Sequence, residues 1–126
     1  MELKEYFENT KGFGVLATAD KEGKVDAAVY ARPHVMEDGT IASIMSNRLT
    51  HENLKTNPHA VYLFIEEGQG YRGKRLFLTK ISEEQDSELI NDICRRCYPS
   101  DLQAKEPRFL VIFGIDKELP LVGAGD

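Results

Sequence analysis

Ser46, Asn47, Arg48, Leu49, Thr50 and Asn53 crowd the junction between an apolar run and a short helical segment, and their types suit the capture of an anion. The stretch from Ile44 to Ala60 reads Ile-Met-Ser-Asn-Arg-Leu-Thr-His-Glu-Asn-Leu-Lys-Thr-Asn-Pro-His-Ala. Ser46 and Thr50 are helix N-cap types, and Asn57-Pro58 forbids the helix from continuing. A helix that opens straight off a strand end points unsatisfied N–H groups and its positive dipole end outward, where phosphate is the usual guest. Arg48 adds a planar cation, Thr50 a hydroxyl, and Asn53 an amide one turn on. The competing reading of this segment alone is an ordinary capped helix with a solvated arginine.

No side-chain catalyst accompanies this anion site. The pair Cys94-Arg-Arg-Cys97 falls at helical spacing with Leu89, Ile90 and Ile93, so both thiols belong to an apolar stripe near the end of a helix. A redox pair opens a helix, where the dipole lowers the thiol pKa, and a zinc site needs two further ligands. His34, His51 and His59 are not spaced as a metal set, and there is no Gly-x-Ser-x-Gly, no phosphate-binding Walker loop and no dinucleotide glycine fingerprint. Carboxylates sit in turns and on solvent-facing helix surfaces. An anion site without a catalyst suits a bound cofactor that carries its own reactivity.

The elements that must position these residues follow from punctuation and period. Leu3, Tyr6 and Phe7 recur at helical spacing and Lys11-Gly12 ends that helix. Phe13 to Ala19 reads as a buried strand, Asp20 to Gly23 as a turn, and Lys24 to Arg32 as the returning strand of a hairpin. Pro33 bends or interrupts it, Val35-Met36 resume it, and Thr40 to Met45 makes the third strand of a meander after the turn Glu37-Asp38-Gly39. That pairing brings Tyr30, Ala31 and Arg32 beside the strand that feeds Ser46 to Thr50. The small residues Ala27, Ala28 and Ala31 let a flat ring lie against the backbone, and Arg32 is within reach of a ring or phosphate. Core packing is the plain alternative for Tyr30, and a surface ion pair for Arg32.

Ala60 to Ile65 is the most apolar run and predicts a central strand. Tyr71 to Ile81 predicts another, with the small basic group Arg72, Lys74 and Arg75 near its start. Ser82 and Gln85 form a capping box for a helix to about Tyr98. Arg108 to Ile115 predicts a last strand, and Leu119 to Asp126 a tail. Six strands joined mostly by tight turns are antiparallel, and closing them into a small barrel with peripheral helices removes exposed edges.

The 126 residues make one domain, and with 41% hydrophobic and 29% charged residues the chain needs neither disulfide nor metal to form a core. A net charge of −5 argues against a nucleic-acid surface. No apolar run approaches the roughly 20 residues of a membrane span, and the acidic start Met-Glu-Leu-Lys-Glu is unlike a signal or transit peptide, which predicts a cytoplasmic protein.

Four segments then come in a telling order: Gly-Val-Leu-Ala-Thr-Ala (14–19), Ala-Val-Tyr-Ala-Arg-Pro (28–33), Glu-Asp-Gly-Thr-Ile (37–41) and Asn-Leu-Lys-Thr-Asn-Pro-His-Ala-Val-Tyr-Leu-Phe (53–64). Together they resemble the pyridoxamine 5′-phosphate oxidase-like FMN-binding split-barrel superfamily, over Phe13 to about Ile81. The resemblance implies a six-stranded split barrel, a homodimer, and FMN held at the dimer interface for redox chemistry with a small-molecule or protein partner. By position, Ser46, Asn47, Arg48, Leu49, Thr50 and Asn53 would hold the phosphate, while Tyr30, Ala31 and Arg32 would border the ring and ribityl chain. The pair Thr50 and Asn53 matches the Thr-x-x-Asn of small FMN-binding proteins of this group. Many relatives carry lysine where Thr50 stands and serine where Arg48 stands, so Arg48 would supply the cation. The C-terminal Arg-x-His of the true oxidases is absent, so vitamin B6 oxidation is not expected. The rival occupants of the same groove are haem, with His51 or His59 as ligand, and F420.

Overall fold

The computed structural model describes residues 2–93 and 107–123. Helix α1 (Leu3–Asn9) leads into strand β1 (Gly12–Ala19), followed by β2 (Val25–Tyr30), β3 (His34–Val35) and β4 (Ile41–Ser46). Helix α2 (Leu49–Thr56), β5 (His59–Glu66), β6 (Gly73–Gln85), α3 (Glu88–Ile93) and β7 (Arg108–Pro120) complete the described chain. All strand pairs are antiparallel, in the order β2-β1-β5-β6-β7-β4-β3. This is a curled sheet of seven strands, because Pro33 cuts the expected second strand into β2 and β3.

The period-2 pattern decides what faces inward. Leu16, Tyr62, Phe64, Leu76, Leu78, Val111 and Phe113 fill the concave side with Ile41 and Met45. Phe7 of α1 plugs one end, edge-on to Phe64 with ring centroids 5.3 Å apart. On the other side of β4 and β7, Ala42 and Leu110 are covered by Ile90 of α3, with Leu89, Ile93 and Ile112 packed around them.

Three expectations are corrected. The meander does not form: among the described residues β4 pairs with β7 along its length and with β3 at one end, while β2 bonds only to β1. The barrel is therefore split, with β2 and β3 as its edges, rather than closed by hydrogen bonds. The helix from Ser82 does not start there either. Ser82 to Gln85 extend β6, opposite Ile112 to Phe109, and the long partner strand outweighs the local capping box. The chain turns at Asp86 (φ 51°), and the helix starts after Ser87, whose Oγ accepts the Leu89 N–H at 3.2 Å. Cys94 and Cys97 lie outside the described residues. Finally, the start of the expected tail is strand: Leu119 and Pro120 pair with Arg75 and Lys74.

Glycine is required at two places in β1 for close approach rather than for a turn. Gly12 lies inside the strand, and α1 ends earlier, at Thr10. A Cβ on Gly12 would meet the Ile65 carbonyl oxygen at 2.2 Å, and one on Gly14 the Tyr62 hydroxyl at 1.9 Å.

Candidate functional site

The unpaired edge of β2 and the junction of β4 with α2 face each other across a cavity of about 470 Å³. Ala28, Val29, Tyr30 and Ala31 form one wall, with Asp26; Ile44, Met45 and Ser46 form another; Arg48, Leu49 and Thr50 close the end. Six of the nine residues expected at a cofactor are thus in one lining: Tyr30, Ala31, Ser46, Arg48, Leu49 and Thr50. The expected strand pairing is absent, yet the curl of the sheet achieves the same meeting.

The start of α2 differs in detail from the expectation. The N-cap is Arg48, in extended conformation and with no side-chain cap, so neither Ser46 nor Thr50 fills that role. Thr50 is one residue inside the helix and buried, and it is hydrogen-bonded to the Tyr30 phenol. Burial raises the Tyr30 pKa; the Thr50 contact lowers it and Asp26 raises it, with a net upward shift, so the phenol keeps its proton.

The remaining three residues are not in this lining; Arg32 instead lines a second cavity of about 670 Å³, with Ala31 common to both. Arg32 Nη1 donates to the Phe7 and Thr10 carbonyls at 2.7 and 2.9 Å, where the negative end of α1 welcomes a cation. Asn53 is buried and donates from Nδ2 to Thr18 Oγ1 at 3.0 Å, tying α2 to β1. Asn47 Oδ1 lies 3.2 Å from His51 Nδ1.

His51 is 1% exposed, with Nε2 3.0 and 3.1 Å from the two oxygens of Glu83 and its ring stacked on Phe109 at a centroid distance of 3.8 Å. Both ring nitrogens are thus engaged by side chains. His59 is exposed, its Nδ1 3.4 Å from Thr79 Oγ1. Burial would raise the Glu83 pKa, but hydrogen bonds from Lys80 and His51 outweigh it and hold the carboxyl below its ordinary value.

Tyr62, Gly14 and Glu83 escaped the sequence reading. The Tyr62 hydroxyl donates toward the Ala31 and Tyr30 carbonyls at 3.1 and 3.3 Å, fixing the backbone of the cavity wall, and Gly14 is the gap it passes through. Tyr62 has no local signal beyond strand period, and the Ser82–Gln85 capping box makes Glu83 read as helical. Arg72, Lys74 and Arg75 are not at this cavity: Lys74 pairs with Glu118 at 2.6 Å, and Arg75 bonds the Pro120 and Gly123 carbonyls. Among the described residues no group of three His, Cys, Asp or Glu side chains could hold a metal, and no helix is long and apolar enough to cross a membrane.

No sequence-family model matches this chain, and no curated protein matches it by sequence. Solved structures do match. An FMN-binding protein from Syntrophomonas wolfei subsp. wolfei superposes with a TM-score of 0.73 at 21% identity, over 95% of this chain and 84% of that one. HutZ, the haem storage protein from Vibrio cholerae, gives 0.71 at 19% identity over 98% and 96% of the two chains. An F420 reductase gives 0.69 at 16% identity over 94% and 97%. The fold is the split barrel of these solved structures, among which are an FMN-binding protein and a haem storage protein.

Proposed function

We propose that this chain is an FMN-binding flavoprotein of redox function, with the cofactor phosphate at the start of α2 and its ring along the edge of β2. The observation that carries the reading is the single cavity joining Ser46, Arg48 and Thr50 to Tyr30 and Ala31. Its residues fit the group. Arg48 supplies charge-assisted hydrogen bonds, and the Ser46 hydroxyl and the first N–H groups of α2 supply neutral ones, while Thr50 orients the Tyr30 phenol. Ala28 and Ala31 leave room for a planar ring, and the protonated Tyr30 phenol offers a hydrogen-bond donor at its border. About 470 Å³ is within the roughly 300–1,000 Å³ of small-molecule sites. Bound flavin would supply the electron transfer. Arg32, Asn47 and Asn53 tie the surrounding elements together through α1, His51 and Thr18.

The working unit in this reading is a homodimer. Val25 and Val29 of the edge strand are 83% and 64% exposed and Phe13 is 51% exposed. They share the convex face with the half-buried Val15, Ala17, Val61, Leu63 and Phe77. A second copy is the occupant that fits, because this face continues through Val29 into the cavity. The redox partner is a small molecule or another protein.

The test is a visible absorption spectrum of the purified protein, repeated after FMN is added and the excess removed. Retained flavin bands support the reading. Loss of Arg48 (Arg48→Ala) then weakens FMN by about 1.5–3 kcal/mol, as removal of a charge-assisted hydrogen bond does. A protein that ignores FMN but retains F420 or haem overturns the choice of cofactor.

A further inference from the structure

A carboxylate lines the same cavity as Arg48. Asp26 of β2 is half-buried there, and the alternation of that strand puts Asp26, Ala28 and Tyr30 on the inner face while Val25, Ala27 and Val29 are exposed. Asp26 is opposite Thr18 of β1, and Thr18 is the residue to which Asn53 of α2 is bonded. Burial raises the Tyr30 pKa and the charge of Asp26 raises it further, against the bond from Thr50 in the first turn of α2 that lowers it. These neighbours put the carboxylate at the α2 end of the cavity, on the wall that faces the anion site.

A carboxylate is a poor neighbour for a phosphate. At a separation on the order of 8 Å, a unit charge weakens the binding of a dianion roughly 2- to 10-fold, depending on how much water intervenes. The Asp26 side chain has no hydrogen bond or ion pair among the described residues, so its oxygens are open to water or to a ligand. Those oxygens only accept, and they call for O–H or N–H donors. A bare dianion such as sulfate offers none. The hydroxyls of a polyol chain attached to a phosphate offer several.

We propose that Asp26 is the specificity-determining residue of this cavity: it accepts hydrogen bonds from the hydroxyls of a phosphorylated polyol and holds off compact dianions, so that the site selects the ester over the bare anion. The inference rests on the reading of the cavity as a phosphate site. It extends that reading from the phosphate and the ring to the chain between them, and it applies to ligands without a ring as well.

Ribitol 5-phosphate and sulfate are the probes, compared at pH 8, where a phosphate monoester with a second pKa near 6 is a dianion like sulfate. Repulsion from Asp26 then acts on both alike and cancels in the ratio of their affinities, which reports the hydroxyl contacts. Calorimetric titration of the purified protein should show a preference for ribitol 5-phosphate. Asp26→Ala should bind sulfate roughly 2- to 10-fold more tightly, and the ester-to-sulfate ratio should fall about 10-fold or more, as loss of hydrogen bonds to a charged acceptor does. Asp26→Asn has the same size and keeps an acceptor oxygen without the charge. It should gain as much for sulfate and lose less of the ratio, and it carries the test should the alanine variant unfold. Arg48→Ala should weaken both ligands and leave the ratio unchanged, because the cation contacts the group they share. An unchanged ratio in both Asp26 variants, sulfate binding that does not tighten in them, or no sulfate binding in any variant each overturns the proposal. Asp26-dependent selectivity in a protein that refuses FMN upholds it and removes only the flavin reading. FMN binding that depends on Arg48, together with an unchanged ratio, does the reverse.

Discussion

Replacing Thr18 with valine tests whether α2 is held in place from β1. The two side chains are close to isosteric, so Thr18→Val removes little but the hydroxyl that accepts from Asn53 Nδ2 at 3.0 Å. Thr18 and Asn53 are 3% and 5% exposed, so water offers the abandoned amide little compensation. A buried donor left unpaired costs about 1–3 kcal/mol. Scaling about 2.1 cal/mol/K per residue to 126 residues gives an unfolding entropy of about 0.26 kcal/mol/K, so the melting temperature should fall by about 4–11 °C. Urea unfolding of Thr18→Val, Asn53→Leu and the double variant closes a cycle. The double variant should recover part of the loss, because two apolar partners leave no orphaned donor. FMN affinity in Thr18→Val should change less than in Arg48→Ala, since Thr18 touches the helix and not the cavity. A Thr18→Val variant within about 0.5 kcal/mol of the parent, the range of a neutral surface change, would refute the reasoning.

Gly14→Ala places a methyl 1.9 Å from the Tyr62 hydroxyl and 2.2 Å from its ring; the ring is buried and cannot swing aside, so about 1–3 kcal/mol should be lost in urea unfolding. The same variant should weaken FMN, because Tyr62 also holds the Tyr30 and Ala31 carbonyls. Arg32→Gln should cost about 1.5–3 kcal/mol through its lost bonds to the Phe7 and Thr10 carbonyls, with amide exchange rising first in α1. Glu83 carries a pH signature: its folded pKa lies below the ordinary value, so its stabilising effect is present above the unfolded carboxyl pKa and disappears as pH falls through the folded one. Glu83→Gln should therefore be less stable than the parent at neutral pH, with the gap in unfolding free energy closing on acidification below about pH 4.

The start of α2 was legible because its signals are local. Pro58 stops the helix, the apolar run ends at Met45, and the intervening polar residues have nowhere to go but the junction. What local pattern could not supply was the division of labour within that junction. Arg32, Asn47 and Asn53 read as ligand groups from type and position alone, and each is engaged by a partner that local pattern does not announce: the end of α1, His51 and Thr18. The Ser82–Gln85 box failed for the same reason, since four residues of capping preference compete with a ladder to β7 that the sequence does not announce.

That ladder also explains why a cavity exists at all. Had β4 taken β2 as its partner, the edge of β2 would be spent on hydrogen bonds and Tyr30 would face packed backbone. Because β4 is committed to β7 from Ile41 to Ser46, β2 keeps one edge unpaired, with Ala28 and Ala31 along it and the α2 junction opposite. An unpaired, valine-bearing edge is a liability for a monomer and a resource for a binding protein, which can cover it with a ligand and a second copy. The exposure of Val25 and Val29 at the same edge as the cavity therefore ties the two proposals together. Charging that edge with Val29→Lys should raise the monomer fraction in sedimentation and weaken FMN in parallel. A dimer lost without change in FMN affinity would show that one chain alone completes the site.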